Sequence, residues 1–131
     1  MNLPTGATVA VVDGEKLVMF HNTGHETVEL SALDAPDITP GTASRGHRSS
    51  AGNPDDDTQA EDGFAGGVAA LLNKQALEGK FDALLVIAAP RTLGELRKHW
   101  HKALQEKLVG EIAKDLTGQS TDHIATAIAH A

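Results

Sequence analysis

The sequence has no cysteine and few aromatic side chains: three Phe, one Trp and no Tyr in 131 residues. The lack of cysteine excludes a disulfide framework and a thiolate metal site. A chain of this length can still bury a core without such staples, and it fits one domain. So few aromatics cannot build the ladder on which single-stranded nucleic acids stack. Long apolar runs are missing too. The longest, Ala83 to Pro90, falls far short of the roughly 20 residues that a membrane-spanning helix needs. The first residues, Met1-Asn2-Leu3-Pro4-Thr5-Gly6, carry neither a basic segment nor an apolar stretch, so no secretory signal is expected. The expectation is a soluble, cytoplasmic chain without membrane insertion. Positive charge is also scarce. Eleven Lys and Arg against eighteen Asp and Glu leave a net charge of −7, which argues against wrapping a nucleic acid, because phosphate binding needs clustered cations. Residues 1–60 hold nine acids against three cations (Lys16, Arg45, Arg48), whereas residues 61–131 hold nine against eight. The acidic excess therefore lies in the first half.

What is present reads as alternating strand and helix patterns. Ala7 to Asp13 is rich in β-branched residues and predicts a strand. Asp13-Gly14 is a turn signal, since glycine tolerates positive φ. Lys16 to Asn22 is the return strand, and after a turn at Asn22-Thr23-Gly24 a third strand is expected over Glu26 to Leu33. Asp34 to Ala60 is rich in Pro, Gly, Ser and Asp and has almost no large apolar side chain, so a long flexible loop is expected there. Glu61 to Glu78 predicts a helix, with Phe64, Val68, Leu71 and Leu72 on one face and Gly79 as its C-terminal stop. Phe81 to Ala89, almost wholly apolar, suits a strand buried on both faces. Leu93 to Leu108 predicts one helix, with Leu93, Leu96, Trp100, Leu104 and Leu108 along its buried stripe. Residues 108–116 fit either a strand or more helix. Thr121 to Ala131 is a last helix, with Ser120 or Thr121 as N-cap. A meander followed by helix–strand–helix units makes a mixed sheet covered by helices, an α/β domain spanning 1–131.

The tract Phe81-Asp82-Ala83-Leu84-Leu85-Val86-Ile87-Ala88-Ala89-Pro90-Arg91-Thr92-Leu93-Gly94-Glu95-Leu96-Arg97-Lys98 resembles the bacterial host attachment protein family. There a buried strand runs into Pro-Pro-Arg-Thr-Leu-Gly-Glu-Leu-Arg-Lys, and Ala89 here replaces the first proline. Val109-Gly110-Glu111-Ile112-Ala113-Lys114-Asp115-Leu116-Thr117 matches a second family segment, and the strand ending in Asp13-Gly14 fits as well. That family is similar in turn to the middle domain of the archaeal and eukaryotic class 1 release factors. The resemblance implies an RNase H-like mixed sheet, with residues 109–116 as its fifth strand. It also implies a link to bacterial attachment to host cells through a non-enzymatic interaction module, whose protein partner the sequence does not name. The release-factor similarity implies a second reading, contact with the ribosome or tRNA. In those factors a loop before the long helix carries a Gly-Gly-Gln tripeptide that enters the peptidyl-transferase centre. The corresponding stretch here, Asp34 to Ala60, has none. The nearest approximations are Gly66-Gly67-Val68, inside a predicted helix, and Gly118-Gln119-Ser120, in a C-terminal turn.

No constellation makes a convincing catalytic, cofactor or metal site. RNase H-like nucleases clamp two metal ions between carboxylates. Asp13 stands where one such carboxylate could be, but the same end of the neighbouring strand reads Ala88-Ala89-Pro90. Asp82 lies at the opposite end of that strand, roughly 20 Å away at about 3.3 Å per residue. Asp13 is thus read as a turn residue. His21 and His25 bracket a turn, and His99 and His101 would point to different sides of a helix, so neither pair suits one ion. His47, Ser49, Ser50 and Gly52 do not form a nucleophile elbow. The most distinctive surface feature is basic. Arg97, Lys98, His101 and Lys102 share one predicted helix face, opposite the Leu96/Trp100/Leu104 stripe. Arg91 and Thr92 open that helix, where amide groups and the helix dipole favour an anion. Thr92 could equally be the N-cap. These six residues are the candidates for binding an anion, RNA or an acidic partner. Glu95–His99 and Lys102–Glu106 are also possible i,i+4 pairs on that helix.

Overall fold

The computed structural model describes residues 3–34 and 56–131. Its elements run β1 (Thr8–Val12), β2 (Leu17–Asn22), β3 (Leu30–Leu33), α1 (Asp56–Leu77), β4 (Leu84–Ala88), α2 (Pro90–Arg97), α3 (Lys102–Lys107), β5 (Leu108–Ala113) and α4 (Thr121–Ala129). The strands form one five-stranded sheet in the order β3-β2-β1-β4-β5. β1 to β3 pair as an antiparallel meander, while β4 runs parallel to both β1 and β5. This is an α/β domain with an RNase H-like mixed sheet. Residues 108–113 are the fifth strand, which settles the strand-or-helix ambiguity of that stretch.

β1 and β4 are buried at every position, as a strand covered on both faces must be. Their alternating side chains divide between two cores. Ala10, Val12, Leu84, Val86 and Ala88 face α1, α2 and α3. Val9, Val11, Leu85 and Ile87 face the other way, toward Leu3, Phe20, Leu116 and the α4 residues Ile124 and Ile128. The buried stripe of α1 is Ala65, Val68, Ala69, Leu72 and Ala76, with Phe64 and Leu71 only half-buried. Small alanines on that stripe let the helix lie close to the sheet.

Several boundaries differ from expectation. β3 begins only at Leu30 and is mostly exposed, because it has one strand neighbour. α1 starts at Asp56, so the last residues of the expected loop over 34–60 are helical; its residues 35–55 lie outside the described residues. The single helix expected over Leu93 to Leu108 is two helices, α2 and α3, separated by Lys98-His99-Trp100-His101. Trp100 is half-buried against the first core rather than within it. The ends of α1 and α4 fall where glycine and serine place them. Gly79 adopts φ 73°, and the amides of Gly79 and Lys80 return to the carbonyls of Ala76 and Gln75 at 3.2 and 2.9 Å, a complete Schellman stop. Lys107 Nζ then donates to the carbonyls of Ala76 and Phe81, each at 3.0 Å. Ser120 Oγ caps α4 by accepting from the His123 amide at 3.1 Å.

Two side chains lock the loops at opposite ends of the sheet. Asn22, buried at the end of β2, uses its whole amide. Its Nδ2 donates to the carbonyls of Leu3 (3.0 Å) and Pro4 (3.2 Å), and its Oδ1 accepts from the amides of Gly24 and Glu29, both at 3.0 Å. Gly24 is required beside it, since a Cβ there would collide with the Thr27 carbonyl. At the other end, Asp13 closes the β1–β2 turn. The turn forms at Asp13-Gly14 as expected, but Gly14 has no positive φ. The Asp13 side chain makes the turn instead, with Oδ1 accepting from the amides of Glu15 and Lys16 at 2.6 Å each. Its Oδ2 accepts from Thr117 Oγ1 at 2.7 Å, tying the turn to the segment after β5. Partial burial pushes the Asp13 carboxyl upward, but hydrogen bonds from Thr117, Glu15 and Lys16 and the Lys16 charge outweigh it, so the net shift is downward.

Two outcomes follow. Asn22→Ala strands buried amides and carbonyls and is expected to destabilise the fold by roughly 3 kcal/mol; denaturant unfolding measures this, and a loss below about 1 kcal/mol would mean that water replaces the side chain. Asp13 has a lowered folded pKa, so its stabilisation is present above the ordinary aspartate value and is lost as pH falls through the folded one. Asp13→Asn is therefore expected to flatten the stability profile below about pH 4. Thr117→Val should move the acid transition upward in pH. An acid-unfolding curve unchanged by both substitutions would refute the linkage.

Candidate functional site

Four of the basic residues singled out in the sequence, Arg97, Lys98, His101 and Lys102, lie at the break between α2 and α3. The break has no Gly or Pro. It is held by Asn73, a buried residue of α1, whose Nδ2 donates to the His99 carbonyl at 2.8 Å and whose Oδ1 accepts from the His101 amide at 2.9 Å. This pair of bonds substitutes for the helical bonds those groups would otherwise make. α2 ends with the Lys98 and His99 amides on the carbonyls of Glu95 (3.2 Å) and Leu96 (2.9 Å). α3 restarts on the His101 carbonyl, which accepts from Leu104 and Gln105.

The charges expected on one helix face are therefore rearranged. Arg97 Nε donates to Glu111 Oε1 on β5 at 3.1 Å, and Trp100 Nε1 donates to Glu111 Oε2 at 3.3 Å. Lys98 Nζ donates to Glu95 Oε2 at 3.0 Å, while His99 Nε2 stands 3.9 Å from Glu95 Oε1. Two glutamates thus neutralise much of the expected patch. His101 and Lys102 are exposed at the start of α3. Arg91 and Thr92 lie in the first turn of α2, roughly 9 Å along the axis from Arg97 at 1.5 Å per residue. The six candidates thus form two groups, one at each end of α2. The N-cap of α2 is Ala89 rather than Thr92, with Pro90 following, no side-chain cap and no acid in the first turn. That end sits at the C-terminal edge of the parallel strands.

The break also creates a cleft of about 310 Å³ between α1 and the α2–α3 link. Gly66, Ala70 and Leu77 form its wall, and Lys74, His99 and His101 line it with Asn73 behind. His99 and His101, expected on opposite sides of one helix, line the same space because the chain between them is not helical. The sequence signals for Asn73 and Glu111 were too slight to find: an Asn inside an apolar helix and a Glu inside a strand name no partners.

The remaining candidates are not gathered into a site. Asp13 lies one residue past Val12, which pairs with Ala88 on β4, so the neighbouring strand end offers no carboxylate. The strand argument missed a carboxylate that shares a partner with Asp13, namely Asp115. Its Oδ1 lies 3.0 Å from the same Thr117 oxygen that donates to Asp13. Among the described residues, no three His, Asp or Glu side chains converge as a metal ion would require. His21 Nδ1 is buried with no hydrogen-bond partner, and His25 Nδ1 lies 3.5 Å from Thr5 Oγ1. His47, Ser49 and Ser50 lie outside the described residues. No described helix is long and apolar enough to cross a membrane.

No curated protein matches the chain. A family model does, over residues 6–128, from the residues just before β1 into the last helix. That match joins the meander, the parallel pair β4–β5 and the helices between them into one known domain type: the chain belongs to the bacterial archaeo-eukaryotic release factor family, family 12.

Proposed function

We propose that this protein is a release-factor-related factor that associates with the ribosome or tRNA without hydrolysing peptidyl-tRNA. The observation that carries this reading is the family match over residues 6–128 in a sequence that contains no Gly-Gly-Gln tripeptide. Release factors need that tripeptide at the reacting ester. A chain that keeps the domain and lacks the tripeptide keeps a surface for the translation machinery and lacks the group that acts there. The protein is then a non-enzymatic binding module. The basic side chains at the α2–α3 break, Lys98, His101 and Lys102, are its contact residues, and the α2 N-terminus with Arg91 and Thr92 is a second, separate anion-facing end. A role in attachment to host cells, implied by the resemblance of the Pro90–Lys98 tract, stands second. The family match supports the translation-linked reading better, and an attachment phenotype would then follow indirectly from altered translation.

Sedimentation of the purified protein with ribosomes at low and at physiological salt tests the reading. Wild type is expected in the ribosomal pellet at low salt and to leave it as salt rises. Lys98→Glu with Lys102→Glu is expected to weaken the association about tenfold. This pair spares the Arg97–Glu111 bridge and breaks only the exposed Lys98–Glu95 pair, which contributes about 1 kcal/mol at most; circular dichroism checks that the fold is kept. No association at low salt, where charge contacts are strongest, would overturn the proposal.

A further inference from the structure

The cleft beside α1 has a chemistry that the charged helix face alone does not define. Its wall is apolar and flat. Gly66 has no side chain, Ala70 has only a methyl, and Leu77 is exposed by 69%, the most exposed large apolar residue described. A methyl added at Gly66 would come within 3.9 Å of His99 Nε2, so the imidazole edge stands across a narrow gap from bare helix backbone. The basic side chains lining the space are Lys74, His99 and His101, and among the described residues no carboxylate lines it, although the chain as a whole carries −7. Glu95 stands just outside it, with Oε1 3.9 Å from His99 Nε2.

Asn73 is the one amide in the lining, and both ends of it are held by the backbone of His99 and His101. Two consequences follow. The wall carrying the histidines is fixed in advance, so little ordering is lost on binding. Among the described residues, the lining therefore has no uncommitted side-chain amide, and its directional hydrogen-bonding groups are Lys74 and the ring nitrogens of His99 and His101. A volume of about 310 Å³ lies at the small end of ligand sites, about 300–1,000 Å³. That suits one ring with an attached anion, not a peptide helix.

We propose that this cleft takes a single nucleotide unit, with its base over Ala70 beside the imidazole rings and its phosphate toward Lys74, one helical turn further along α1. The unit comes from a free mononucleotide or from a position along an RNA chain. The proposal rests on the RNA-contact reading above and names a contacting site for it.

The test is equilibrium binding at low salt with three probes: adenosine monophosphate, a short single-stranded oligoadenylate, and an oligoglutamate of matched charge. The oligoadenylate is expected to bind wild type. Lys74→Glu should weaken it about tenfold. Ala70→Leu, an exposed helical position that can carry a larger side chain, should abolish binding by filling the cleft. Glu95→Gln should strengthen it two- to threefold, roughly, by removing the acid beside His99. Binding of the monophosphate at millimolar concentration identifies the free nucleotide as the source; binding of the oligonucleotide alone identifies the chain. Equal binding by oligoglutamate, or oligoadenylate binding unchanged by Ala70→Leu, would overturn the nucleotide assignment. Ribosome sedimentation unaffected by Ala70→Leu, with no oligonucleotide bound, would remove the cleft and leave the ribosome reading standing. Cleft-dependent binding of oligoadenylate without any ribosome association would do the reverse.

Discussion

The parallel pairing of β1 with β4 is the constraint on which the other parts of this molecule depend. Five residues of each strand align without a shift, Thr8 with Leu84 through Val12 with Ala88, and every one of them is buried. Two adjacent strands buried on both faces need two covering layers. One layer is α1 with the α2–α3 pair; the other is α4 with Leu3, Phe20 and Leu116. The β4–β5 connection must cross one face to keep β5 parallel, and α2 and α3 make that crossing. β5 begins at Leu108 immediately after α3 ends at Lys107. The crossing must therefore fit its length with no loop to absorb error. A straight helix from Pro90 to Lys107 would run about 27 Å at 1.5 Å per residue, against about 17 Å for a five-residue strand at about 3.3 Å per residue. Breaking the helix shortens the crossing to fit the sheet.

Asn73 sets where that break falls. It reaches across from α1 and holds one carbonyl and one amide of the link, so the chain turns at His99–His101 with its polar groups paired. The same geometry swings Trp100 and Arg97 toward β5, where Glu111 receives one hydrogen bond on each oxygen. The cleft is a by-product of this arrangement. The link stands off from α1 where α1 has Gly66 and Ala70, and no side chain fills the gap. Fold and candidate site are therefore one construction: the bend that lets the sheet close also places two histidines against an apolar helix wall.

This explains what was legible beforehand. The apolar run of β4, the glycine stop at Gly79 and the serine cap at Ser120 are local signals, and each stands where local physics puts it. The β1–β2 turn was placed correctly for an incomplete reason, since the Asp13 carboxylate rather than a glycine φ makes it. The fifth strand came from family resemblance, because Leu108, Ile112 and Leu116 satisfy a helical spacing as well as a strand. The helix break was not legible. Leu93, Leu96, Trp100 and Leu104 keep helical period straight through it, and the group that interrupts them lies 26 and 28 residues away in the chain. The neutralisation of Arg97 was hidden for the same reason, since its partner is 14 residues on, across a strand. Asp115 escaped notice beside Asp13 because 104 residues separate Asp13 from the threonine that joins them. Sequence patterns report what a residue does for its own helix or strand, and these contacts all join different elements.

The electrostatics narrow what this surface can do. A net charge of −7 opposes long-range attraction to a polyanion, and Glu95 and Glu111 occupy three of the nearby cationic side chains. At physiological salt, screening confines charge interactions to about 8 Å. Among the described residues, the basic side chains lining the cleft are Lys74, His99 and His101, with Lys102 next in the chain and Glu95 beside His99. The domain therefore cannot gather RNA by a broad positive field as basic factors do. Any affinity must come from a short contact in which apolar burial and a few charges act together, after something else has brought the partners close. In the proposed association with the ribosome that task falls to shape and position, and a small acidic domain with a local basic cleft suits being held there rather than searching for free RNA.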